Sequence, residues 1–223
     1  NTVAGDGSTI LKVYFKQQFT VTYKPGIHGT FTEQKTEHLD YGAATPTFVG
    51  NKTHEEGYEF TTWDKTVEST VTKSVEYVAE WSIINYTIEY ELNGGTLGVD
   101  ETTHQPITNP ATYNVETVAF TLNNPTRAGY TFKGWTGTDL ATATTTVTIS
   151  QGSTGNREYT ANWKANSYSY NIVYKSNSGA QLGTATVSKN FGTTNTITPK
   201  AYTGYTSPAN QTVVWDSTTA KTI

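Results

Sequence analysis

The chain has 223 residues, no cysteine and a net charge of −4 at neutral pH. Without cysteine, disulfides and thiolate metal sites are excluded, and no basic cluster is present to neutralise nucleic-acid phosphates. No apolar run approaches the roughly 20 residues that span a membrane. The chain contains 46 threonines and fifteen tyrosines, and β-branched and aromatic side chains favour strands. We therefore predict a mainly β protein that binds no nucleic acid and has no membrane-inserted segment.

Taken in order, residues 1–17 resemble the tail of a preceding repeat, with a strand at residues 9–15. Three later segments alternate apolar and polar residues with period two, which predicts half-buried strands. Each is followed by a turn signal such as Pro25-Gly26 or Asn93-Gly94. The three segments are residues 19–23, 86–90 and 170–174. The same strand-and-turn unit therefore opens three successive repeats.

A second pattern organises the whole chain. Gly-Tyr-x-Phe-x-x-Trp occurs at residues 57–63 and again at residues 129–135. Each copy is closed by a Tyr-x-Ala-x-Trp segment, at residues 77–81 and 159–163. A weaker third copy consists of Gly204-Tyr205 followed by Trp215. Internal repetition of this kind predicts a tandem array of small domains.

The domains are predicted at residues 18–83, 84–166 and 167–223, the last being truncated. Between the motifs, residues 29–39 are polar and are the best candidate for a short helix, and residues 115–122 are predicted as a strand. With this one short helix, the predicted fold class is mainly β (α+β). The linkers are only a few residues long, so we predict an extended, monomeric arrangement of the repeats.

The motif also predicts which side chains face inward. Tyr130 and Phe132 lie two residues apart and share one face of a strand. Trp135 lies an odd number of positions from Phe132, so it points inward only if a β-bulge occurs at Gly134. We expect the closing residues Trp81 and Trp163 to be buried on the same face as the tyrosines that precede them.

Motifs of catalysis and metal binding are not found in the sequence. The segment at residues 152–155 lacks the spacing and context of a nucleophile elbow. The adjacent carboxylates Glu55-Glu56 and Asp100-Glu101 point to opposite sides if they lie on a strand, so neither pair forms a catalytic dyad. The histidines occur singly in polar segments, at His28, His38, His54 and His104. We predict no catalytic residue, no metal site and no cofactor.

The tryptophans of the motifs allow two interpretations. Exposed indole rings at Trp63, Trp135 and Trp215 would stack on sugars and form a glycan-binding site. Alternatively, each anchors the core of its own small domain, and the recurrence of one position in every repeat favours this interpretation. No ligand-binding residue is assigned.

The segments at residues 86–96, 124–135 and 159–163 resemble the Listeria–Bacteroides repeat, the B-repeat family of internalin-type bacterial surface proteins. Residues 18–81 resemble it less closely, and residues 167–223 are more similar to mucin-binding-type repeats. The resemblance implies a small β-grasp-like domain without catalytic residues, placed outside the cell on a Gram-positive wall.

Three functions remain open from the sequence. The first is a stalk or spacer in a secreted, wall-associated surface protein, with a role in adhesion to a host glycoprotein or glycan. The second is a carbohydrate- or mucin-binding module. The third is an accessory segment of a secreted glycosidase. The start at Asn1 and the missing signal peptide lead us to expect a fragment of a longer protein.

Overall fold

The computed structural model describes residue 5 and residues 12–217, and every regular element among them is a β-strand. The predicted mainly β class is therefore confirmed. The described residues include no helix long and apolar enough to cross a membrane. The chain divides into two compact units, Asn1–Asn85 and Tyr86–Ile223.

The first unit contains one mixed sheet of four strands. They are β1 (Gln18–Lys24), β2 (Gln34–Asp40), β3 (Tyr58–Trp63) and β4 (Val75–Ile83). Their order in the sheet is β2-β1-β4-β3, with β1 and β4 parallel and the outer pairs antiparallel. This order, with a parallel central pair, is the arrangement expected of a β-grasp-like domain.

The helix predicted at residues 29–39 is wrong, because residues 34–40 form β2, which pairs with β1. The inward positions of β2 include the polar residues Gln34 and Thr36, so the period-two pattern is hidden in the sequence. The strand also contains a bulge, where His38 takes a positive φ of 60°. An edge strand with polar inward positions therefore takes the place of the expected helix.

The second unit begins with a larger version of the same sheet. Its strands are β5 (Tyr86–Glu91), β6 (Thr112–Tyr113), β7 (Phe120–Thr121), β8 (Tyr130–Gly137), β9 (Leu140–Thr144), β10 (Thr148–Ile149) and β11 (Arg157–Ala165). The order is β6-β5-β11-β8-β9, with β5 and β11 parallel, and β7 and β10 form a separate small pair. The repeated sequence motif therefore builds the same central topology twice.

The predicted bulge at Gly134 is confirmed. Along the β8–β11 pair, Phe132 lies opposite Trp163 and Gly134 lies opposite Asn162, so Lys133 is the extra residue. Gly134 has a positive φ of 117°. The shift in register turns Trp135 toward the core, where it is fully buried.

The strand predicted at residues 115–122 is largely wrong, because only Phe120–Thr121 is a strand. Residues 114–117 form a turn in which the amide of Thr117 donates to the carbonyl of Asn114 at 3.0 Å. The side-chain oxygen of Asn114 accepts from the amide of Glu116 at 3.1 Å. An Asn side chain that bonds the backbone two residues later stabilises a turn and interrupts the strand.

The third repeat consists of two hairpins. In the first, β12 (Ser167–Lys175) pairs with β13 (Gln181–Asn190), and in the second β14 (Thr194–Ile197) pairs with β15 (Gln211–Val214). A small core of Tyr170, Val213 and Trp215 lies between them. The Trp215 and Tyr170 rings are 4.6 Å apart between centroids.

Only Asn166 separates the second repeat from the third, because β11 ends at Ala165 and β12 begins at Ser167. The two repeats are also in direct contact. The amide of Asn166 donates to the carbonyl of Gly129 at 2.9 Å, and the carbonyl of Asn166 accepts from the amide of Phe191 at 2.9 Å. The Phe191 ring packs on Tyr130 at 5.6 Å. It lies so close to Gly129 that a side chain there would overlap it. The first residues of the motif at 129–135 thus form the joint to the next repeat.

Some predictions fall partly or wholly outside the described residues. Of the tail strand predicted at residues 9–15, positions 9–11 lie outside, and residues 12–15 are not part of a strand. The end of the third repeat, which is predicted to be truncated, also lies outside at residues 218–223. The predicted domain limits at residues 18, 84 and 167 stay predictions.

Candidate functional site

Of the three tryptophans weighed as a glycan platform, Trp135 and Trp215 lie in the cores of their repeats, and Trp63 packs against the core of the first repeat. Trp135 and Trp215 are fully buried. Trp63 is half-buried, and its ring centroid lies 4.8 Å from that of Tyr23 and 5.6 Å from that of Phe48. Rings that are covered on both faces have no free surface for a sugar, so Trp135 and Trp215 act as core anchors.

The closing tryptophans are half-buried rather than buried, so the prediction for Trp81 and Trp163 is wrong. The indole of Trp81 donates to the carbonyl of Pro25 at 2.7 Å, and that of Trp163 donates to the carbonyl of Leu92 at 3.0 Å. An indole N–H with a carbonyl partner tolerates a half-buried position. Both residues therefore fasten the turn that follows the first strand of their repeat.

Three of the four histidines, His28, His38 and His54, are held by local side-chain contacts. His28 stacks on Tyr58 at 3.7 Å and lies 3.0 Å from the carboxylate of Glu55. His38 contacts the side chain of Gln18 at 2.8 Å, and His54 contacts the carbonyl of Glu55 at 2.8 Å. Within the described part of the chain, no three His, Cys, Asp or Glu side chains group closely enough to hold a metal ion.

The carboxylate pairs are also engaged in local structure. Asp100 accepts from the amides of Thr102 and Thr103 and from the Thr103 hydroxyl, at 2.7–3.0 Å. The hydrogen bonds from Thr103 and then from Thr102 lower the pKa of Asp100. This arrangement stabilises a turn, since Asp side chains commonly bond the backbone just after them.

A concave surface of the second unit lies in the third repeat. It is a cleft of about 800 Å³ between the two hairpins and the loop at residues 198–210. Its residues combine three tyrosines with two lysines and several hydroxyl and amide groups. Among the side chains that line it are Tyr174, Lys175, Lys200, Tyr202, Tyr205, Thr206 and Gln211.

One wall of the cleft is built by close packing around Tyr202. Its ring lies 5.7 Å from that of Tyr174, and the ammonium of Lys200 lies 5.7 Å from the Tyr202 ring centre. Gly183, in β13, leaves room for the Tyr202 hydroxyl, because an added Cβ would overlap it. Glycine within a strand often marks such a close approach.

The turn that carries Tyr205 is more open. Tyr205 is 52% exposed and follows Gly204, whose φ is 83°. The amide of Tyr205 donates to the carbonyl of Tyr202 at 3.1 Å, which closes the turn that carries both rings. The weak third copy of the Gly-Tyr motif therefore departs from the other two. Its tyrosine lies at the surface of a cleft instead of at the start of a sheet strand.

Charge distinguishes the third repeat from the rest of the chain. Residues 167–223 carry four lysines and one aspartate, a net charge of +3. Because the whole chain has a net charge of −4, the residues before them carry a net charge of −7. None of the ion pairs among the described residues involves Lys175 or Lys200. The cleft therefore presents a positive charge that is not neutralised by a carboxylate of the described chain.

The sequence reasoning did not assign these cleft residues. A cleft between two hairpins brings together side chains from β12 and from the loop at residues 198–210, which are about 30 positions apart. The available signal was a loop with two tyrosines and one lysine between Pro199 and Pro208, together with the basic balance of the third repeat. Neither signal gives the pairing of the hairpins.

The repeated sheet with an aromatic core defines the chain, over its first two repeats, as a tandem array of small β domains. Residues 86–162 match the Listeria-Bacteroides repeat domain, and residues 19–85 match the divergent InlB B-repeat domain. These matches support the repeat family that the motifs indicated. Repeats of this kind are typical of bacterial surface proteins and are generally non-catalytic. A comparison with curated proteins found no match.

Proposed function

We propose that this chain is a non-catalytic repeat region of a secreted, wall-associated surface protein of a Gram-positive bacterium. In this proposal the first two repeats act as a spacer, and the chain is monomeric. The carrying observation is that one sheet topology is built twice on one motif, each time around its own aromatic core. Repetition of self-contained domains is a way to add length to a surface protein.

The spacer role is tested by the size of the molecule in solution. A single globule of 223 residues has a radius of gyration of about 17 Å, and three domains of about 70 residues joined end to end give about 27–30 Å. Small-angle X-ray scattering measures this radius directly. The spacer proposal expects the larger value, and a radius near the globular one would contradict it.

A second candidate function is adhesion through the third repeat, by binding a host glycoprotein or glycan. The cleft between its hairpins favours this function, which agrees with the mucin-binding-type repeat predicted from the sequence at residues 167–223. A role as an accessory segment of a secreted glycosidase is a weaker alternative, because no feature described above favours it. A glycan array probed with the chain tests adhesion, and binding to no glycan would contradict it.

A further inference from the structure

We propose that the cleft of the third repeat binds an oligosaccharide that carries a carboxylated sugar. The proposal rests on the adhesive part of the proposed function and names the class of ligand and the residues that take it. Spacer and ligand are tested by different measurements, so the failure of one leaves the other standing.

The size and lining of the cleft fit a short saccharide. A volume of about 800 Å³ lies within the range of about 300–1,000 Å³ that is typical of small-molecule sites. Tyr174, Tyr202 and Tyr205 supply flat apolar surfaces, and the C–H faces of sugar rings pack against such surfaces. Gln211 and Thr206 add amide and hydroxyl groups that exchange hydrogen bonds with sugar hydroxyls.

The packing of the cleft prepares it for a ligand. Gly183 allows the Tyr202 hydroxyl to approach β13, and the ring contact with Tyr174 fixes the orientation of Tyr202. A ring that is already held in place loses little side-chain freedom when a ligand binds, and lower ordering costs favour affinity. Tyr205, which is more exposed, offers a further ring surface to the saccharide.

The two lysines of the cleft favour a ligand that carries a carboxylate. Lys175 and Lys200 both line the cleft, and no carboxylate lies among its lining residues. The lining therefore carries positive charge and no negative charge, which favours an acidic saccharide over a neutral one. A polyanion such as nucleic acid fits less well, because its affinity comes from neutralising many phosphates and the repeat carries a net charge of only +3.

The experiment is isothermal titration calorimetry of the complete chain with sialyllactose, which carries one sugar carboxylate, and with lactose, its neutral counterpart. We expect binding of sialyllactose at millimolar concentrations and at least about tenfold weaker binding of lactose, which corresponds to about 1.4 kcal/mol. Equal affinity for both sugars would overturn the acid selectivity. Absence of binding by either sugar would overturn the proposal.

Three variants locate the site. Tyr205→Ala removes an exposed ring and Lys200→Gln removes one charge of the cleft, and each should weaken sialyllactose binding about tenfold or more. Lys189→Gln removes the same charge from β13, outside the cleft, and should leave the affinity unchanged. If Lys189→Gln weakens binding as much as Lys200→Gln, the effect is general attraction to a basic surface and the cleft assignment is wrong. Circular dichroism of each variant checks that the fold is retained.

Discussion

At the scale of single residues, the tryptophans of the second repeat have two different roles. Trp135 is fully buried and donates to the side-chain oxygen of Asn124 at 2.9 Å. Trp163 is half-buried, fastens the turn at Leu92, and lies so close to Gly95 that a side chain there would overlap it. One residue type thus anchors the core at one position and holds a turn at the other.

Because the two tryptophans have different roles, their replacement by alanine should lower the free energy of unfolding by different amounts. Trp135→Ala removes a fully buried indole and should lower the free energy of unfolding by about 3–5 kcal/mol. Trp163→Ala loses less buried area and should cost about half as much. Urea unfolding followed by circular dichroism measures both values. Equal costs would show that Trp163 belongs to the core in the same sense as Trp135.

A second prediction concerns Tyr90, whose hydroxyl donates to the carbonyl of Pro110 at 2.9 Å. Burial first, and the neighbouring Tyr159 second, raise the pKa of Tyr90 to about 12. Between pH 10 and 12 the unfolded chain ionises this phenol and the folded chain does not, so the free energy of unfolding falls as the pH rises through this window. Because Tyr90 is only partly buried, we expect its share of the loss to be about 1–2 kcal/mol.

The matched variant for this prediction is Tyr90→Phe. Its free energy of unfolding should decline less steeply than that of the parent between pH 8 and pH 11.5, because the titrating group is gone. Urea titrations at several pH values measure the difference between the two slopes. Parallel curves for parent and variant would show that Tyr90 has no part in the alkaline loss of stability.

Some of these residue roles were predictable and others were not. The inward position of Trp135 follows from counting residues along the motif and from the glycine that permits a bulge. The half-buried state of Trp163 does not follow from period two, because Trp163 lies opposite Phe132 just after the register shift and near the end of its strand. Burial at a strand end depends on the turn that covers it.

At the scale of elements, the bulge in β8 is the feature that makes the core of the second repeat. Gly134 combines a positive φ of 117° with close packing, since an added Cβ would lie 2.6 Å from the backbone nitrogen of Thr144 in β9. L side chains disfavour such a φ, and β9 leaves no room for one. Gly134 therefore controls both the register of β8 and its distance from β9.

Substitution of two glycines by alanine separates the cost of a positive φ from the cost of a clash with β9. Gly134→Ala should destabilise the protein by more than about 2 kcal/mol, because it adds a clash to the cost of a positive φ. Gly152→Ala serves as the control, since Gly152 has a φ of 84° with no atom near its missing Cβ, and should cost only about 1 kcal/mol. Thermal or urea unfolding measures the loss of stability of each variant. If both variants cost the same, packing against β9 contributes nothing.

Strand prediction succeeded where one face is apolar and failed where side chains interact locally. The opening strands β1, β5 and β12 alternate clearly and were predicted. The edge strand β2 has polar inward positions, so its segment looked helical. Residues 114–117 carry an Asn-centred turn that competes with the strand, and a hydrophobic pattern alone does not reveal it.

At the scale of the whole molecule, the repeat array and its aromatic cores were predictable because the motifs recur with fixed spacing. The joint between the second and third repeats was not. It depends on Phe191, which lies about 60 residues after Gly129 and packs on Tyr130. The cleft likewise depends on how two hairpins of the third repeat pair and pack. Contacts between distant segments have no signature in a local pattern.

The parallel pair at the centre of each of the first two sheets affects how the repeat resists a force that pulls on its two ends. In the second repeat the chain enters through β5 and leaves through β11, and these two strands are parallel neighbours. A pull on both ends therefore slides the strands along each other. The bonds of a parallel ladder are evenly spaced, so they resist together instead of opening in turn.

This geometry predicts high resistance to a pull along the chain and low resistance to a pull across it. The chain has no cysteine, so introduced cysteines give unique attachment points. Thr87→Cys with Lys164→Cys pulls β5 against β11, and Thr131→Cys with Lys164→Cys peels apart the antiparallel pair β8–β11, in which these two residues are opposite. Single-molecule force spectroscopy should find a severalfold larger unfolding force for the first pair, and equal forces would contradict it. A protein tethered to a cell and pulled by flowing liquid would then keep its folded length under load.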